Sequence, residues 1–252
     1  METPLLQAGE RLDALIPQNL EIIQSDLTFS FSVDAILLAH FAQVSSSRVK
    51  QVIDFCSGNG VIPLLLSAKT SDKTQIHGIE IQPQVADMAK RSMVHNDLAD
   101  KITVHQMDLK AVRDAFKKDS VDVVTCNPPY FKTLPSSQKN PNRYLAIARH
   151  ELTINLPIVA EKMSGLLKMN GKGYLVHRPE RLPEIVQVLE KNRLMVKRIK
   201  FAYPKVNKPA NIVLIEVIKD GKPGGLIVEP PLIVGDKDGN YTPEVEAMLN
   251  DN

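Results

Sequence analysis

The residues best suited to chemistry are Asn127–Tyr130, which read NPPY and directly follow the apolar segment VDVVTC. An amino group on a base or an amide is a poor nucleophile because its lone pair is delocalised, and two acceptors that hold both N–H groups favour the reactive pyramidal nitrogen. The side-chain oxygen of Asn127 and the carbonyl of Pro128 can be those acceptors. Pro128 and Pro129 fix φ and aim that carbonyl in advance, and Tyr130 can stack on a planar group such as a base turned out of its helix. We therefore predict that Asn127, Pro128, Pro129 and Tyr130 are catalytic, with a plain proline turn as the alternative.

A second group of residues indicates a cofactor that carries a ribose. The glycine turn DFCSGNG, residues 54–60, follows a β-branched segment and leads into an apolar helix. Gly58 and Gly60 let a ligand approach the backbone closely. Glu80, about 20 residues further on, can accept hydrogen bonds from both hydroxyls of a ribose. A dinucleotide such as NAD and S-adenosylmethionine are the two cofactors that compete for this pattern.

The spacing favours S-adenosylmethionine. A dinucleotide site prefers the pattern G-x-G-x-x-G, and the third of those positions is Pro63 here. S-adenosylmethionine has no phosphate to bind, so a looser turn suffices for it. It requires a further acid for its adenine amino group, which Asp108 in the segment HQMDL supplies.

These residues must be positioned by a sheet, because each follows a segment with strand character. Strand and helix signals alternate along the chain from VKQVIDF onward, and the last two strand segments, LMVKRIKFAY and ANIVLIEVIK, are adjacent. This order predicts an α/β fold with a doubly wound, mostly parallel, seven-stranded sheet that an antiparallel hairpin closes. The ligand site of such a sheet lies at the carboxyl ends of its strands.

With these motifs in place, the sequence resembles the class I amino-group methyltransferases of the small-domain type, which have a Rossmann-like fold. The segments ERLDALI, IIQ and FSFSVDAILLAHF before the glycine turn, and ARHE after NPPY, resemble the bacterial tRNA1(Val) (adenine-37-N6)-methyltransferase family. The likeness covers roughly residues 10–220. It implies an enzyme that methylates N6 of an adenosine in tRNA, at position 37 beside the anticodon, with S-adenosylmethionine as cofactor.

The resemblance also implies a cofactor site. The expected members of that site are Phe31, Asp34, Asp54, Cys56, Gly58, Gly60, Glu80, Ile81, Asp108, Leu109 and Asn127. Phe31 and Asp34 resemble the segment of the family that covers the cofactor, although an apolar helix cap explains Phe31 equally well. Cys56 stands where class I enzymes usually have the first glycine of the turn, which predicts a slightly different backbone path.

The distribution of charge indicates a polyanionic partner. Residues 31–219 contain 28 basic and 17 acidic side chains, a balance of +11 against +2 for the whole chain. The segment 127–149 has four bases and no acid, and the segment 191–208 has seven bases and no acid. Solvated lysine surfaces are the alternative, but clustering near the suspected site favours RNA. We expect the tRNA to contact Lys132, Lys139, Arg143, Arg149, His150 and Arg178, while Arg149 and His150 fit a helix-capping role equally well.

Other functions share part of this pattern. A glutamine N5-methyltransferase of peptide release factors shares NPPY, but it is expected to carry a docking domain, and about 50 residues precede the glycine turn here. An rRNA amino-group methyltransferase is a further alternative, as is an RNA-binding module that holds the cofactor without catalysis. The sequence leaves the oligomeric state open.

Composition sets the remaining expectations. The 252 residues, 43% of them hydrophobic, can bury one large core. We predict an N-terminal extension at 1–30, a methyltransferase domain at 31–219 and a C-terminal extension at 220–252 that packs on this domain. No apolar run approaches the roughly 20 residues of a membrane span, so we expect a cytoplasmic protein with no membrane partner. We also expect reduced thiols at Cys56 and Cys126 and no metal, because the six histidines lack ligand spacing.

Overall fold

The computed structural model describes residues 5–15, 19–28, 31–130 and 154–250. The strands in these ranges are β1 (Glu10–Leu15), β2 (Leu20–Ser25), β3 (Gln51–Phe55), β4 (Gln75–Glu80), β5 (Ile102–Gln106), β6 (Val121–Cys126), β7 (Leu167–His177), β8 (Leu194–Lys205), β9 (Ile212–Lys219), β10 (Ile227–Val228) and β11 (Leu232–Gly235). The helices are α1 (Val33–Phe41), α2 (Val61–Lys69), α3 (Pro83–His95), α4 (Val112–Ala115), α5 (Leu156–Leu166), α6 (Leu182–Lys191) and α7 (Pro243–Asn250). Short 3-10 turns precede α4 and α6, at Leu109–Ala111 and Pro179–Arg181.

The main sheet has the predicted topology. Its strand order is β8-β9-β7-β6-β3-β4-β5, in which β3 to β7 are parallel and β9 is antiparallel to both β7 and β8. The α/β prediction is therefore confirmed, including the hairpin of β8 and β9 that closes the sheet. Two further short strands, β10 and β11, pair in parallel with the outer edge of β8, so the sheet has nine strands where seven were predicted.

Helices cover both faces of the sheet. Neighbouring residues of a strand point to opposite faces, and accordingly Val52 packs in a core with α1, α2 and α3, while Ile53 packs in a second core with α5 and α6. Strands that are buried on both faces are nearly continuous apolar runs, as β9 is with the sequence IVLIEVIK. The parallel strands β3 and β6 are buried in the same way. Because they are nearly continuous apolar runs, these strands could be predicted from the sequence.

The register of the strands sets the position of the site. In the β3–β6 pair Asp54 lies beside Thr125 and Phe55 beside Cys126, so the glycine turn and the NPPY segment begin side by side. The chain winds outward from β3 in one direction and from β6 in the other. A ligand crevice forms at such a switch point, outside the carboxyl ends of the strands.

An N-terminal hairpin of β1 and β2 forms a second, two-stranded sheet that the sequence analysis did not predict. Ile23 packs against Val85 and Met88 of α3. Arg91 of α3 forms an ion pair with Glu10 at 2.7 Å, and the two side chains are 10% and 8% exposed. The hairpin depends on α3, which lies far along the chain, so its local sequence is a weak signal.

The C-terminal segment packs on the same unit. After β11 the chain reverses, and an antiparallel bridge joins Gly235 to Tyr241. Helix α7 then contacts α1, with Val245 fully buried and with the ring of His40 3.0 Å from the carbonyl of Met248. The domain boundaries given above stay a prediction. Among the residues that the structure describes, no helix is long and apolar enough to cross a membrane.

Candidate active site

A cavity of about 490 Å³ lies at the carboxyl ends of the parallel strands. Its lining includes residues 56–59 after β3, residues 80–82 at the end of β4, residues 107–109 after β5, residues 127–130 after β6 and Arg178 after β7. Each of the five parallel strands thus leads into residues that line this one cavity. Small-molecule ligands occupy cavities of roughly 300–1,000 Å³, so this space suits a cofactor together with part of a substrate.

Most of the residues predicted from the sequence meet in this cavity. They are Phe31, Asp34, Cys56, Gly58, Glu80, Ile81, Asp108, Leu109, Asn127, Pro128, Pro129, Tyr130 and Arg178. Asp54 and Gly60 do not line it. Lys132, Lys139, Arg143, Arg149 and His150 lie outside the residues that the structure describes.

The carboxylate of Glu80 is held in place by backbone donors. The N–H of Gly58 donates to its Oε2 at 3.0 Å, and the N–H of Gln82 donates to its Oε1 at 2.8 Å. Burial raises the pKa of Glu80, and these hydrogen bonds oppose that rise. Two carboxylate oxygens offer about four acceptor sites. The two backbone bonds therefore orient Glu80 and leave capacity for the hydroxyls of a ligand.

The two glycines of the turn have different tasks. Gly58 has φ +56°, lines the cavity, and would place an added Cβ in open space. Gly60 has φ +88°, and an added Cβ would lie 2.5 Å from the Cε of Met93 and 3.3 Å from the Cβ of Ala89. Gly58 therefore leaves room for a ligand. Gly60 instead lets the start of α2 pack against α3, which corrects the prediction that both glycines face the ligand.

Cys56 adopts the backbone conformation of a glycine. Its φ is +56°, in the left-handed region that costs a residue with a Cβ about 1–2 kcal/mol. A glycine adopts this conformation without that cost, and the altered backbone path stays a prediction. Cys56 and Cys126 are both free thiols, as expected, and burial raises the pKa of Cys126 well above its usual range.

Asp54 lies beneath the glycine turn and outside the cavity lining. Its side chain is fully buried, and its Oδ1 accepts a hydrogen bond from the hydroxyl of Thr125 at 2.6 Å. Burial raises the pKa of Asp54 to about 7. Asp54 joins β3 to β6 below the turn, so the predicted contact with the cofactor is replaced by support of the turn. The motif alone could not show this difference, because it depends on burial.

Asp108 caps the 3-10 turn after β5. Its Oδ1 accepts the backbone N–H of Lys110 at 2.9 Å. The residue is half-buried and lines the cavity beside Ile81 and Leu109. Capping uses part of the acceptor capacity of a carboxylate, so the orientation of Asp108 is fixed while it can still accept from a ligand.

The NPPY segment is tied to helix α1. The hydroxyl of Tyr130 lies 2.8 Å from Oδ2 of Asp34 and 2.5 Å from Oδ1 of Asn127. Burial and the neighbouring Asp34 carboxylate raise the pKa of Tyr130 well above its usual value, so it stays protonated. The guanidinium of Arg178 lies 4.8 Å from the centre of the Tyr130 ring, and the His177 ring lies 5.2 Å away. These contacts fix the aromatic ring at one end of the cavity.

Arg181, which follows β7 in the 3-10 turn, could not be predicted from the sequence. Its Nη1 donates to the backbone carbonyl of Tyr130 at 2.9 Å, and its Nη2 forms an ion pair with Glu184 at 3.0 Å. Fifty-one positions separate Arg181 from Tyr130, so local sequence carries no signal for the contact. Arg181 does not line the cavity itself; the lining residues that were not predicted are Ser32, Ala35, Ser57, Asn59, Val61, Ile62, Ile79, Gln82, Val85, Met107 and Ile154. Of these, Ser57 and Asn59 belong to the glycine turn itself.

The basic segment 191–208 is largely engaged within the chain. Its contacts are Arg193 with Asp220 at 2.6 Å, Arg198 with Glu216 at 2.9 Å and Glu229 at 2.8 Å, Lys200 with Glu244 at 3.4 Å, and Lys197 with the carbonyls of Lys222 and Gly224. These four bases support the hairpin and the C-terminal segment. The structure thus favours an internal role for them over contact with RNA.

The fold and the position of the cavity define the class of protein: a class I methyltransferase architecture. The chain is similar to a predicted O-methyltransferase of Agrobacterium tumefaciens, with a TM-score of 0.66 and 22% identity over 86% of this chain and 95% of that one. A SAM-dependent O-methyltransferase of Thermotoga maritima is also similar, with a TM-score of 0.54 and 15% identity over 78% and 68% of the two chains. At such identities the likeness shows the fold alone.

The family is shown by the sequence profile of the methyltransferase small domain, which matches residues 32–202. The chain belongs to this family, so the predicted methyltransferase is confirmed. Two curated relatives are named tRNA1(Val) (adenine(37)-N6)-methyltransferase. The relative from Histophilus somni is 26% identical over 93% of this chain and 94% of its own. The relative from Porphyromonas gingivalis is 25% identical over 90% and 89%.

Proposed function

We propose that this protein transfers a methyl group from S-adenosylmethionine to N6 of an adenosine in tRNA, at position 37 beside the anticodon. The observation that carries the proposal is that one cavity brings Asn127 and Tyr130 together with Glu80 and Gly58. Relatives that share about nine-tenths of their length with this chain carry the name of that activity. A tRNA substrate also agrees with the cytoplasmic location expected from the sequence.

The residues at the cavity fit S-adenosylmethionine. Glu80 accepts hydrogen bonds from the ribose hydroxyls, and Gly58 leaves the space that the ribose needs. Asp108 accepts from the adenine amino group, with apolar Ile81 and Leu109 beside it. Gln82 lines the same wall, and its Oε1 is buried without a hydrogen-bond partner among the described residues. When bound, the cofactor supplies an electrophilic methyl group on its sulfonium.

The NPPY segment prepares the target amine. The Asn127 oxygen and the Pro128 carbonyl accept the two N–H groups of N6, so the lone pair of the nitrogen is withdrawn from the ring and becomes available for attack. Tyr130 offers one face of its ring to the adenine, because Arg178 lies over the ring within 5 Å. The adenine of a single-stranded anticodon loop costs little to extrude. Positioning and electrostatics thus account for the catalysis.

Basic side chains supply the affinity for RNA in this proposal. Arg178 lines the cavity, and the tRNA backbone contacts Lys132, Lys139, Arg143, Arg149 and His150. Counterion release makes such binding steeply dependent on salt. Reversing the charge of both Lys139 and Arg143 should flatten the salt slope by roughly one unit per lost phosphate contact. Affinity for S-adenosylmethionine should be unchanged, which separates the two sites.

The deciding experiment is nucleoside mass spectrometry. Purified protein, S-adenosylmethionine and bulk tRNA from a strain that lacks the gene should yield N6-methyladenosine, and Asn127→Ala protein should yield almost none. Parallel reactions contain rRNA or a peptide release factor. Methylation of a glutamine in the release factor, or of rRNA, without methylation of tRNA would replace the proposed substrate by that alternative.

A further inference from the structure

We propose that Asp34 is a positioning residue for methyl transfer: it accepts the hydroxyl proton of Tyr130 and thereby turns the amide oxygen of Asn127 toward the cavity. The inference rests on the proposed function, because it concerns the acceptor that holds the target amine. Asp34 was predicted above to contact the cofactor. Asp34 lines the cavity, and its carboxylate also contacts the NPPY segment.

The Tyr130 hydroxyl has two possible acceptors and a single proton. The Tyr130 hydroxyl lies within hydrogen-bond distance of both Asp34 Oδ2, at 2.8 Å, and the side-chain amide of Asn127. In the structure the amide atom that faces the hydroxyl is Oδ1. A phenol has one hydrogen to donate. It can therefore donate to the carboxylate or to the amide oxygen, but not to both.

The carboxylate is the stronger of the two acceptors. Hydrogen bonds to an ionised acceptor are shorter and about twice as strong as neutral ones. The Asp34 side chain is 9% exposed, and the Nη2 of Arg178 lies 4.0 Å from its Oδ2. Little water competes for the bond, and a positive charge stands beside the carboxylate. We therefore place the Tyr130 proton on the side of Asp34.

That placement decides the orientation of the amide. Once its proton is directed to Asp34, the Tyr130 oxygen presents lone pairs to Asn127, so the amide must offer its NH₂ end there. The two ends of an amide have nearly the same shape, and the hydrogen-bond network selects between them. The structure places Oδ1 on Tyr130, so the proposed arrangement is that amide turned by about 180°: Nδ2 then lies on Tyr130 and Oδ1 faces the cavity, where an acceptor is needed. With Oδ1 on Tyr130, the amide would present a donor to the donating target amine.

The surrounding contacts hold Tyr130 in place, so that its bond to Asp34 can set the orientation of the Asn127 amide. Arg181 binds the Tyr130 carbonyl at 2.9 Å, and Arg178 lies over the ring. Asp34 sits in the first turn of α1, a helix that is buried along most of its length. The three side chains thus form a short chain, from Asp34 through Tyr130 to Asn127, in which each bond sets the direction of the next.

The first test is the isosteric change Asp34→Asn. A neutral amide at residue 34 no longer forces the direction of the Tyr130 proton, so the single-turnover rate at saturating substrates should fall by about 10- to 100-fold. Affinity for S-adenosylmethionine, measured by calorimetry, should stay within a few-fold. Asp238→Asn, an exposed carboxylate in the turn after β11, is the matched control and should retain the parent rate.

The second test repeats Asp34→Asn in an Asn127→Asp background. A carboxylate at residue 127 has two acceptor ends, so its orientation no longer matters, and Tyr130 then lies between two carboxylates. Asp34→Asn should leave the rate of that background unchanged or raise it. A merely structural role of Asp34 predicts the same loss of rate in both backgrounds. Thermal unfolding of each variant confirms that the compared proteins are folded.

The outcomes separate this inference from the proposed function. If the parent forms N6-methyladenosine in tRNA and Asp34→Asn does so at the parent rate, or loses equal rate in both backgrounds, the positioning role is overturned and the function stands. If Asp34→Asn weakens cofactor binding in proportion to the loss of rate, Asp34 belongs to the cofactor site instead. If the parent methylates no tRNA, the proposed function is overturned, and the positioning role that rests on it is overturned with it.

Discussion

The backbone N–H of Gly58, in the loop after β3, donates to the carboxylate of Glu80, at the end of β4, over 3.0 Å. The same carboxylate accepts from Gln82, and Glu80 as a whole is 5% exposed. The carboxylate at the end of β4 therefore helps to hold the shape of the glycine turn that follows the neighbouring strand β3. A ligand at this edge of the sheet meets a carboxylate whose direction is already fixed.

This arrangement predicts the effect of changes at Glu80. Glu80→Ala should weaken binding of S-adenosylmethionine by about 1–3 kcal/mol, because hydroxyls of the ribose lose their acceptor. Glu80→Gln should be nearly as harmful, since its NH₂ end would face the N–H of Gly58 or of Gln82. Titration calorimetry measures both variants. Unchanged affinity in either variant would remove Glu80 from the cofactor site.

The two glycines of the turn should respond differently to alanine. Gly60→Ala should lower the free energy of unfolding by roughly 2–4 kcal/mol, because it combines a left-handed φ with a clash against Met93 and Ala89. Gly58→Ala should cost only about 1–2 kcal/mol of stability but weaken cofactor binding, since its methyl group lies beside the cavity. Urea unfolding and calorimetry on the same two proteins test this. Equal stability losses with equal affinities would contradict the division of tasks.

Asp54 should give the protein a pH-dependent stability. Its folded pKa of about 7 lies above the ordinary value of 3.8, so the folded state binds the proton more tightly than the unfolded chain. The resulting stabilisation is fully present below pH 3.8 and is lost as the pH rises through about 7. The isosteric variant Asp54→Asn lacks this dependence. Its stability relative to the parent should therefore rise between pH 5 and 8, by an amount on the order of a few kcal/mol.

The measurement is urea unfolding of both proteins at several pH values. The comparison isolates Asp54, since Glu80 is present in both. Parallel stability profiles for the parent and Asp54→Asn would show that Asp54 keeps the same pKa in the folded and unfolded states.

Removal of the Asn127 amide should affect chemistry far more than binding. Asn127→Ala should lower the methyl-transfer rate by about 10²–10³-fold, the range for loss of one preorganised polar group at the reacting centre. The fold should persist because the residue follows β6 and is only half-buried. Binding of tRNA should persist because phosphate contacts supply most of it. A single-turnover rate with both substrates saturating is the appropriate readout, and a rate within a few-fold of the parent would exclude the proposed role.

Much of the fold and the contents of the site could be predicted from the sequence. The inner strands of the sheet are buried on both faces, so β3, β4, β6 and β9 appear as apolar runs without regard to their partners. A parallel sheet brings the carboxyl ends of its strands to one edge. The position of a residue at the end of a strand, as for Glu80, or just after one, as for Asn127, therefore sufficed to predict that it meets the others.

What each residue does there was decided by tertiary structure. Asp54 and Gly60 belong to the same motif as Gly58, but burial and the packing of α3 separate them from the cavity. The hairpin of β1 and β2 depends on α3 for its burial. The bonds from Asp34 to Tyr130 and from Arg181 to the same residue join positions 96 and 51 apart. Such contacts have no local signature, because a hydrogen bond is set by distance and direction in space, which arise only once the sheet and its helices have packed.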